Sequence, residues 1–486
     1  MGEHISYPAR LAGFAAEQPD AVMITCGDDS ITRADFESRT NRLARDLQER
    51  GVGVDDMVTI ALPNSIAWFV AFASAWKLGA IPQPVSSRLP GREMEMIIEL
   101  AGSPVVLGAD PGSLEGTDCL PIGYEPDPAI GDDPLPDVIS SAWKAPTSGG
   151  STGRPKLIVA GDPASLDPDV PNPLGGGPGM WLVMPGPLYH NGPIVWCWAA
   201  LLGGASVAVL PKFDAEATLA RIQEHQAQVV YLVPTMMKRI WRLPIDVRES
   251  YDLSSLLVVW HLAEPCPPWL KDAWIEWLGA ERIWELYAGT EAQAATIITG
   301  VEWLEHRGSV GRPAPGTVQI TDEDGTELPA GEQGEVWLRT LARDTPTYRY
   351  IGAEARTRDD GWESLGDMGW LDDDGYLYLG DRLTDMILAG GANIYPAEIE
   401  AVLQEHPSVR SCAVIGLPDE DLGNRVHAII EPEGDFDDAE VLAFLGERLV
   451  RYKVPRSIEL VDEALRSDAG KVRRSALRAE RVPSEP

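Results

Sequence analysis

The segment Thr147-Ser148-Gly149-Gly150-Ser151-Thr152-Gly153-Arg154-Pro155-Lys156 decides how the rest of this 486-residue chain is read. Its three glycines let the backbone turn tightly and aim several N–H groups into one concavity. The hydroxyls of Thr147, Ser148, Ser151 and Thr152 add donors, and Lys156 adds a mobile point charge. A loop of this kind suits a polyphosphate. It is not a Walker A loop, because Lys156 follows a proline and no Ser or Thr comes after it. Extended apolar patterns at 140–145 and 157–160 predict a turn between two strands.

Outward from this loop, the first third of the chain alternates helical patterns (36–50, 65–78, 91–100) with extended ones (57–62, 104–107). Repeated β-α-β order with short connections predicts a parallel sheet covered by helices on both faces. Residues 108–138 are rich in Pro, Gly and Asp and lack a period, which predicts a loop. Strands at 229–233, 256–262 and 283–287 follow, with Pro234-Thr235 breaking the chain before a helix at 236–242. From residue 318, short strands (318–321, 334–338, 376–379) between Asp/Gly turns predict a small antiparallel subdomain. Past Arg382 a small α+β unit is expected: helices at 396–404 and 439–449, strands at 411–417, 426–430 and 457–461. The expected fold is therefore α/β, with a large N-terminal domain (1–382) and a small C-terminal domain (383–486). The charged stretch 380–385 is the expected hinge.

Forty Lys and Arg against 75 Asp and Glu leave a net charge of −35, which repels nucleic acid and anionic lipid. An anionic ligand therefore needs a local basic pocket. The five cysteines (Cys26, Cys119, Cys197, Cys266, Cys412) are scattered and contain no C-x-x-C, which fits a reducing compartment better than a disulfide framework or zinc site. The start, Met1-Gly2-Glu3-His4-Ile5-Ser6, matches a myristoylation pattern but lacks a polybasic neighbour, and it has no apolar signal region. The uncharged stretch 192–211 is broken by Gly203-Gly204 and predicts a buried helix followed by a strand, not a membrane span. A cytoplasmic protein without nucleic-acid or membrane partners is expected.

Four more segments carry chemistry. In Glu285-Leu286-Tyr287-Ala288-Gly289-Thr290-Glu291, Tyr287 can stack on a base, Thr290 can bond a phosphate, and Glu291 can hold Mg²⁺ together with phosphate oxygens. Asp367, in Gly366-Asp367-Met368-Gly369-Trp370, suits a ribose diol, and Gly380-Asp381-Arg382 supplies a guanidinium. Near the end, Ser467-Asp468-Ala469-Gly470-Lys471-Val472-Arg473 puts a lysine on a polar, glycine-bearing loop.

In order and spacing these segments resemble the adenylate-forming superfamily of acyl-CoA synthetases, peptide-synthetase adenylation domains and luciferases. The resemblance runs from about residue 10 to 478. It implies that 147–156 is the phosphate loop, Tyr287–Glu291 the Y-G-x-T-E segment, 364–382 the ribose-binding segment, and Lys471 the catalytic lysine. Gly390-Gly391-Ala392-Asn393-Ile394-Tyr395-Pro396 resembles the start of a mobile C-terminal domain. ATP, Mg²⁺ and coenzyme A are then the expected cofactors. An acid is converted to acyl-AMP, after which the small domain swings about Thr384 so that Lys471 leaves and the Gly390-Gly391 face arrives to admit a thiol. His190 is implied as the aromatic gate between acyl and thiol sites. Trp196, Trp198, Met236, Trp260 and His261 fall in segments that usually line the acyl pocket. Pro265-Cys266-Pro267-Pro268 is similar to the corresponding region of bile-acid-type CoA ligases, which favours a bulky, apolar acid.

The chain departs from the family pattern at Gly149, where a second hydroxyl is usual, at Ala288 in place of glycine, and at Thr384 in place of Asp or Lys. Glu264, in His261-Leu262-Ala263-Glu264-Pro265, stands where relatives are small and glycine-rich. It is expected to place a carboxylate beside the nucleotide, where negative charge is unfavourable. The leading expectation is an acyl-CoA synthetase acting on a small-molecule carboxylic acid and CoA, with room for a homodimer. Two alternatives stand beside it. One is an enzyme that performs one half-reaction only, or passes the adenylate to a carrier protein or amine. The other is a non-catalytic nucleotide-binding protein.

Overall fold

The computed structural model describes residues 4–89, 91–149, 155–170, 174–341, 346–382, 385–389, 392–419, 422–466 and 472–482. Six parallel strands form the spine of the largest sheet. In lateral order they are Val22–Cys26, Ser206–Val209, Trp181–Met184, Val229–Leu232, Val258–Leu262 and Ile283–Ala288. The inner strands are mostly buried Val, Leu and Ala with little polar alternation, as expected of strands covered on both faces, whereas Ile283–Ala288 alternates and carries Glu285 and Tyr287. Beyond Ile283–Ala288 the direction reverses. Ala295–Thr299 and Ser309–Pro313 pair antiparallel and hand the sheet on to Leu377–Arg382, Glu363–Leu371, Gly334–Arg339 and Thr317–Thr321. The expected antiparallel strands are thus present and continue from the edge of the parallel sheet.

A second parallel sheet has the order Ile81–Pro84, Met57–Ile60, Val105–Leu107, Asp118–Leu120. Its last strand lies in the stretch read as loop, since three residues are too few to show a period. A further correction concerns the phosphate-loop flanks. Residues 140–145 form no strand; Thr147–Gly149 does, directly after Pro146. Ala142 and Ala145 are buried, and Ala145 N–H donates to the Pro82 carbonyl at 2.9 Å. Their apolar pattern reports burial against the second sheet and not ladder pairing.

Helix starts follow local chemistry. Thr32 and Ser65, both extended, accept from Asp35 N–H and Trp68 N–H to open Arg33–Glu49 and Ile66–Lys77. Pro234 was read as a breaker, but it occupies the first helical position of Pro234–Trp241, where its missing N–H costs nothing. Helix Asn191–Leu202 and the following strand match the buried pair read at 192–211. Among the described residues no helix is long and apolar enough to cross a membrane.

The C-terminal part has its own core, built from Ile399 and Leu403 of helix Pro396–Glu405, Val414 and Ala428 of strands Val409–Asp419 and Gly423–Pro432, and Val441 and Leu445 of helix Asp438–Gly446. The boundary expected at 382/383 falls on residues outside the described set.

The large core is aromatic where two buried helices meet. Trp198 lies with ring centroids 5.6, 5.3 and 4.5 Å from Phe69, Phe72 and Trp76. This contact assigns Trp198 to helix packing and separates it from the acyl-pocket candidates. Trp198→Ala is expected to lower unfolding free energy by about 3–5 kcal/mol, read as a shift of the urea midpoint with an unchanged far-UV spectrum.

Candidate active site

The described ends of the phosphate-loop candidate are two paired strands. Thr147–Gly149 pairs antiparallel with Pro155–Ala160, Ser148 opposite Lys156. The far side of Pro155–Ala160 pairs with Tyr348–Ile351, Tyr350 opposite Ile158. Gly150, Ser151, Thr152 and Gly153 lie outside the described residues. At the base of the hairpin, Thr147 Oγ1 accepts from Gln83 Nε2 at 2.8 Å. The hairpin is therefore tied to the second parallel sheet through a fully buried glutamine.

Where the spine ends at Ala288 the chain turns. Ala292 N–H donates to the Gly289 carbonyl at 3.1 Å, and the turn presents Thr290 and Glu291. A Cβ at Gly289 would lie 2.5 Å from Leu365 Cδ1 and 2.9 Å from Glu291 Oε2, so a larger residue there would displace both side-chain ends. Glu291 is 6% exposed. Its Oε1 accepts from the Tyr350 hydroxyl at 2.5 Å and lies 3.6 Å from Lys156 Nζ, which sits 3.8 Å from the centroid of the Tyr350 ring. Tyr350 carried no signal in the sequence. It arrives because its strand pairs with that of Lys156.

Lys144 was also missed. It is 5% exposed, its amine donates to Asn191 Oδ1, and it lies 4.5 Å from the Trp143 ring centroid. Burial pushes its pKa down to about 7, against the opposing pull of Glu291 and Asp162. Asn191 begins helix Asn191–Leu202, directly after His190, whose ring centroid is 4.3 Å from that of Tyr189. Gly192 is required here: a Cβ would fall 2.2 Å from the Tyr231 hydroxyl. Lys156 thus supplies the steady positive charge beside Glu291, and Lys144 adds to it only while protonated, below about pH 7.

On the other side of the turn, the Tyr287 hydroxyl donates to Asp367 Oδ2 at 2.7 Å, and Asp367 pairs across the strands with Arg382. Tyr287 and Asp367 therefore meet, Arg382 stands opposite Asp367 in the strand register, and Ala288 and Gly289 adjoin. Trp196, Met236, Trp260 and His261 are at most 3% exposed. Trp196 packs edge-on against Tyr231 (5.3 Å) and Trp260 (5.6 Å). Burial, aided by the Lys271 charge, holds His261 neutral, with its Nε2 3.9 Å from a Glu285 carboxylate that binds Lys271 at 2.5 Å.

Glu264, expected beside the nucleotide, is held by neighbours from both parts of the chain. Thr235 Oγ1 donates to its Oε2 at 2.8 Å, and Arg466 of the C-terminal part lies 4.0 Å away. Burial raises its pKa, countered by Arg466 and the Thr235 bonds. Thr384, Gly390, Gly391 and Lys471 are outside the described residues.

The donor set fits a magnesium–nucleotide ligand. Among the described residues no group of three or more His, Cys, Asp or Glu could hold a metal. One carboxylate, Glu291, is what Mg²⁺ needs when phosphate oxygens complete its shell.

Lys144 also makes a pH prediction. The unfolded chain holds the lysine proton up to pH ~10.4, whereas the folded chain releases it near pH 7. Folding stability attributable to Lys144 is therefore lowest below pH 7 and rises between those values, by up to about 1.4 kcal/mol per pH unit. Denaturant titrations from pH 7 to 9.5 should show Lys144→Met losing that slope relative to wild type.

The model of the AMP-binding enzyme family matches residues 11–342, and that of the AMP-binding enzyme C-terminal domain matches residues 398–471. The chain is 31% identical to feruloyl-CoA synthase of an Amycolatopsis species, covering 97% of this chain and 98% of that one. It is 30% identical to indoleacetate–CoA ligase of Aromatoleum aromaticum, covering 96% of each. Among solved structures, o-succinylbenzoate CoA synthetase from Bacillus subtilis with its acyl-adenylate superposes with a TM-score of 0.83 over 98% of both chains, at 23% identity. With family models matching both of its parts and relatives at 30% identity or more along nearly its whole length, the chain belongs to the AMP-binding enzyme family.

Proposed function

We propose that this protein is an AMP-forming acyl-CoA synthetase acting on a bulky, apolar carboxylic acid. The observation that carries the reading is the meeting of Lys156, Tyr350 and Glu291 beside Thr290, where a triphosphate on the hairpin would end. A carboxylate is a poor electrophile. In the first half-reaction its oxygen attacks the α-phosphorus of ATP, the acyl–O–P bond forms, and pyrophosphate leaves. In the second, the CoA thiolate attacks the acyl carbonyl carbon and AMP leaves.

In this reading the hairpin N–H groups and Lys156 hold the β- and γ-phosphates. Thr290 donates to the α-phosphate, and Tyr287, Asp367 and Arg382 seat the nucleoside. The Tyr287 hydroxyl fixes Asp367 so that its other oxygen can accept from a ribose hydroxyl. Lys471 neutralises charge built up in the first half-reaction. Mg²⁺, held by Glu291 and phosphate oxygens, supplies further charge neutralisation when bound. His190, at the start of helix Asn191–Leu202, stands at the side from which a thiol reaches the acyl group, and the Gly390-Gly391 segment admits the thiol.

The buried Trp196, Trp260 and Met236, with a neutral His261, support an apolar and aromatic acyl partner. So do the names of the feruloyl- and indoleacetate-activating relatives. No charged group among these four would pair with a second carboxylate on the substrate.

Pyrophosphate release from ATP with a panel of aryl and polycyclic acids, with and without CoA, tests the reading. Acid-dependent release together with a CoA thioester is expected. Thioester formed only from supplied acyl-AMP would favour a half-reaction enzyme, and no product from either would favour a nucleotide-binding protein. Lys471→Ala should cut acid-dependent pyrophosphate release by roughly 10²–10³ while thioester formation from supplied acyl-AMP falls far less. Equal loss of both would remove the alternating role of Lys471.

A further inference from the structure

Glu264 lies on the large domain, yet it meets the small one. Its side chain is 7% exposed, and that of Arg466, 4.0 Å away, is 14% exposed. Arg466 Nη2 donates at 3.3 Å to both Glu400 Oε2 and the Cys412 carbonyl. Glu400 accepts from Nε and Nη2 of Arg474, and its Oε1 also accepts from Val414 N–H at 2.8 Å. Arg474 Nη1 reaches Asp385 at 3.0 Å. One polar chain thus runs from Thr235 through Glu264, Arg466, Glu400 and Arg474 to Asp385, the first described residue after the hinge candidate.

The other contacts at this junction are of a different kind. From helix Pro234–Trp241 and its C-cap, Lys238 Nζ reaches the Arg410 carbonyl at 3.5 Å and Arg242 Nη2 reaches the Val409 carbonyl at 3.2 Å. Arg242 also lies 3.6 Å from Glu433, which is half exposed, so that pair is screened by water. The Glu264–Arg466 pair is shielded on both sides. A buried carboxylate left without its cation is strongly disfavoured, so any orientation that withdraws Arg466 leaves Glu264 with the Thr235 hydroxyl and only the weaker influence of Arg239. Arg466 and Arg473 stand on either side of Lys471 in sequence. Both face large-domain carboxylates, Arg473 lying 3.6 Å from Glu93.

We propose that the Glu264–Arg466 pair is the latch that holds the C-terminal domain in this orientation, making both residues positioning residues for the adenylating half-reaction. The inference rests on the acyl-CoA synthetase reading for its catalytic consequence, but not for its geometry. Thr235, which adjoins Met236 on the same helix, links the latch to the acyl side. The carboxylate at Glu264 is then explained as an interdomain group instead of a nucleotide contact.

Spin labels on Val54→Cys and Tyr452→Cys, both 57% exposed and one on each domain, measure the orientation directly. The unaltered pair should give one narrow distance distribution. Glu264→Gln and Arg466→Gln should each broaden it, the double variant no further, and Arg466→Lys should return it toward the narrow form. In parallel, each Gln variant should lower acid-dependent pyrophosphate release about tenfold relative to thioester formation from supplied acyl-AMP. Unchanged distributions in both Gln variants would overturn the latch, and so would additive effects in the double variant or an Arg466→Lys no better than Gln. A wild-type enzyme lacking both half-reactions would sink the functional reading, while the spin-label distances would still decide the latch.

Discussion

The carboxylate of Glu291, held between the Lys156 ammonium and the Tyr350 hydroxyl, is the contact around which the site is organised. Three segments that share no neighbourhood in sequence supply it: the hairpin, the turn after the last parallel strand, and a strand almost two hundred residues beyond the hairpin. A charge cluster buried this far is tolerated only when each member is paired. The pairing also gives the site its sign. In a chain of net charge −35, the proposed polyphosphate site depends on the local charge of Lys156 beside this carboxylate. The rest of the surface repels such an anion.

The sheet explains why the turn lies where it does. Parallel strands deliver their carboxyl ends to one edge, and ligands of open α/β sheets bind outside those ends. Ile283–Ala288 is the last parallel strand, and the direction change immediately after it brings Ala295–Thr299 back alongside. Thr290 and Glu291 therefore sit on a turn braced by two ladders. Tyr287 is braced in the same way, by its bond to Asp367 on the antiparallel continuation of the sheet. The Tyr287–Asp367 pair and the Thr290–Glu291 turn share one rigid frame.

The junction with the small domain contrasts with this. Its apolar core is separate, and among the described residues polar contacts cross the boundary: carbonyls capped by Lys238 and Arg242, the pairs of Arg242 with Glu433 and Arg473 with Glu93, and the shielded pair of Glu264 with Arg466. Domain contacts built this way can separate without exposing a large apolar face, whereas a shared hydrophobic core could not. The same logic places the buried Lys271–Glu285 pair, with neutral His261 beside it, wholly inside the large domain, where nothing need move.

Much of the site was legible along the chain, because glycine spacing, a tyrosine at a strand end and a Thr-Glu pair each carry local chemistry. The hairpin, the Tyr287–Asp367–Arg382 grouping and the small C-terminal unit were read this way. Extended pattern alone misled at 140–145, since burial against a second sheet leaves the same apolar trace as ladder pairing and Pro146 lacks the N–H a ladder needs. Lys144 and Tyr350 were invisible, as nothing local distinguishes a lysine or tyrosine that will end beside a carboxylate from one that will face water. Glu264 shows the limit most clearly. Sequence by itself determined that an unusual carboxylate stands in that segment. Only the tertiary structure decided that its partner is Arg466, because pairing of charges depends on distance through space and the two residues meet only when separate domains pack.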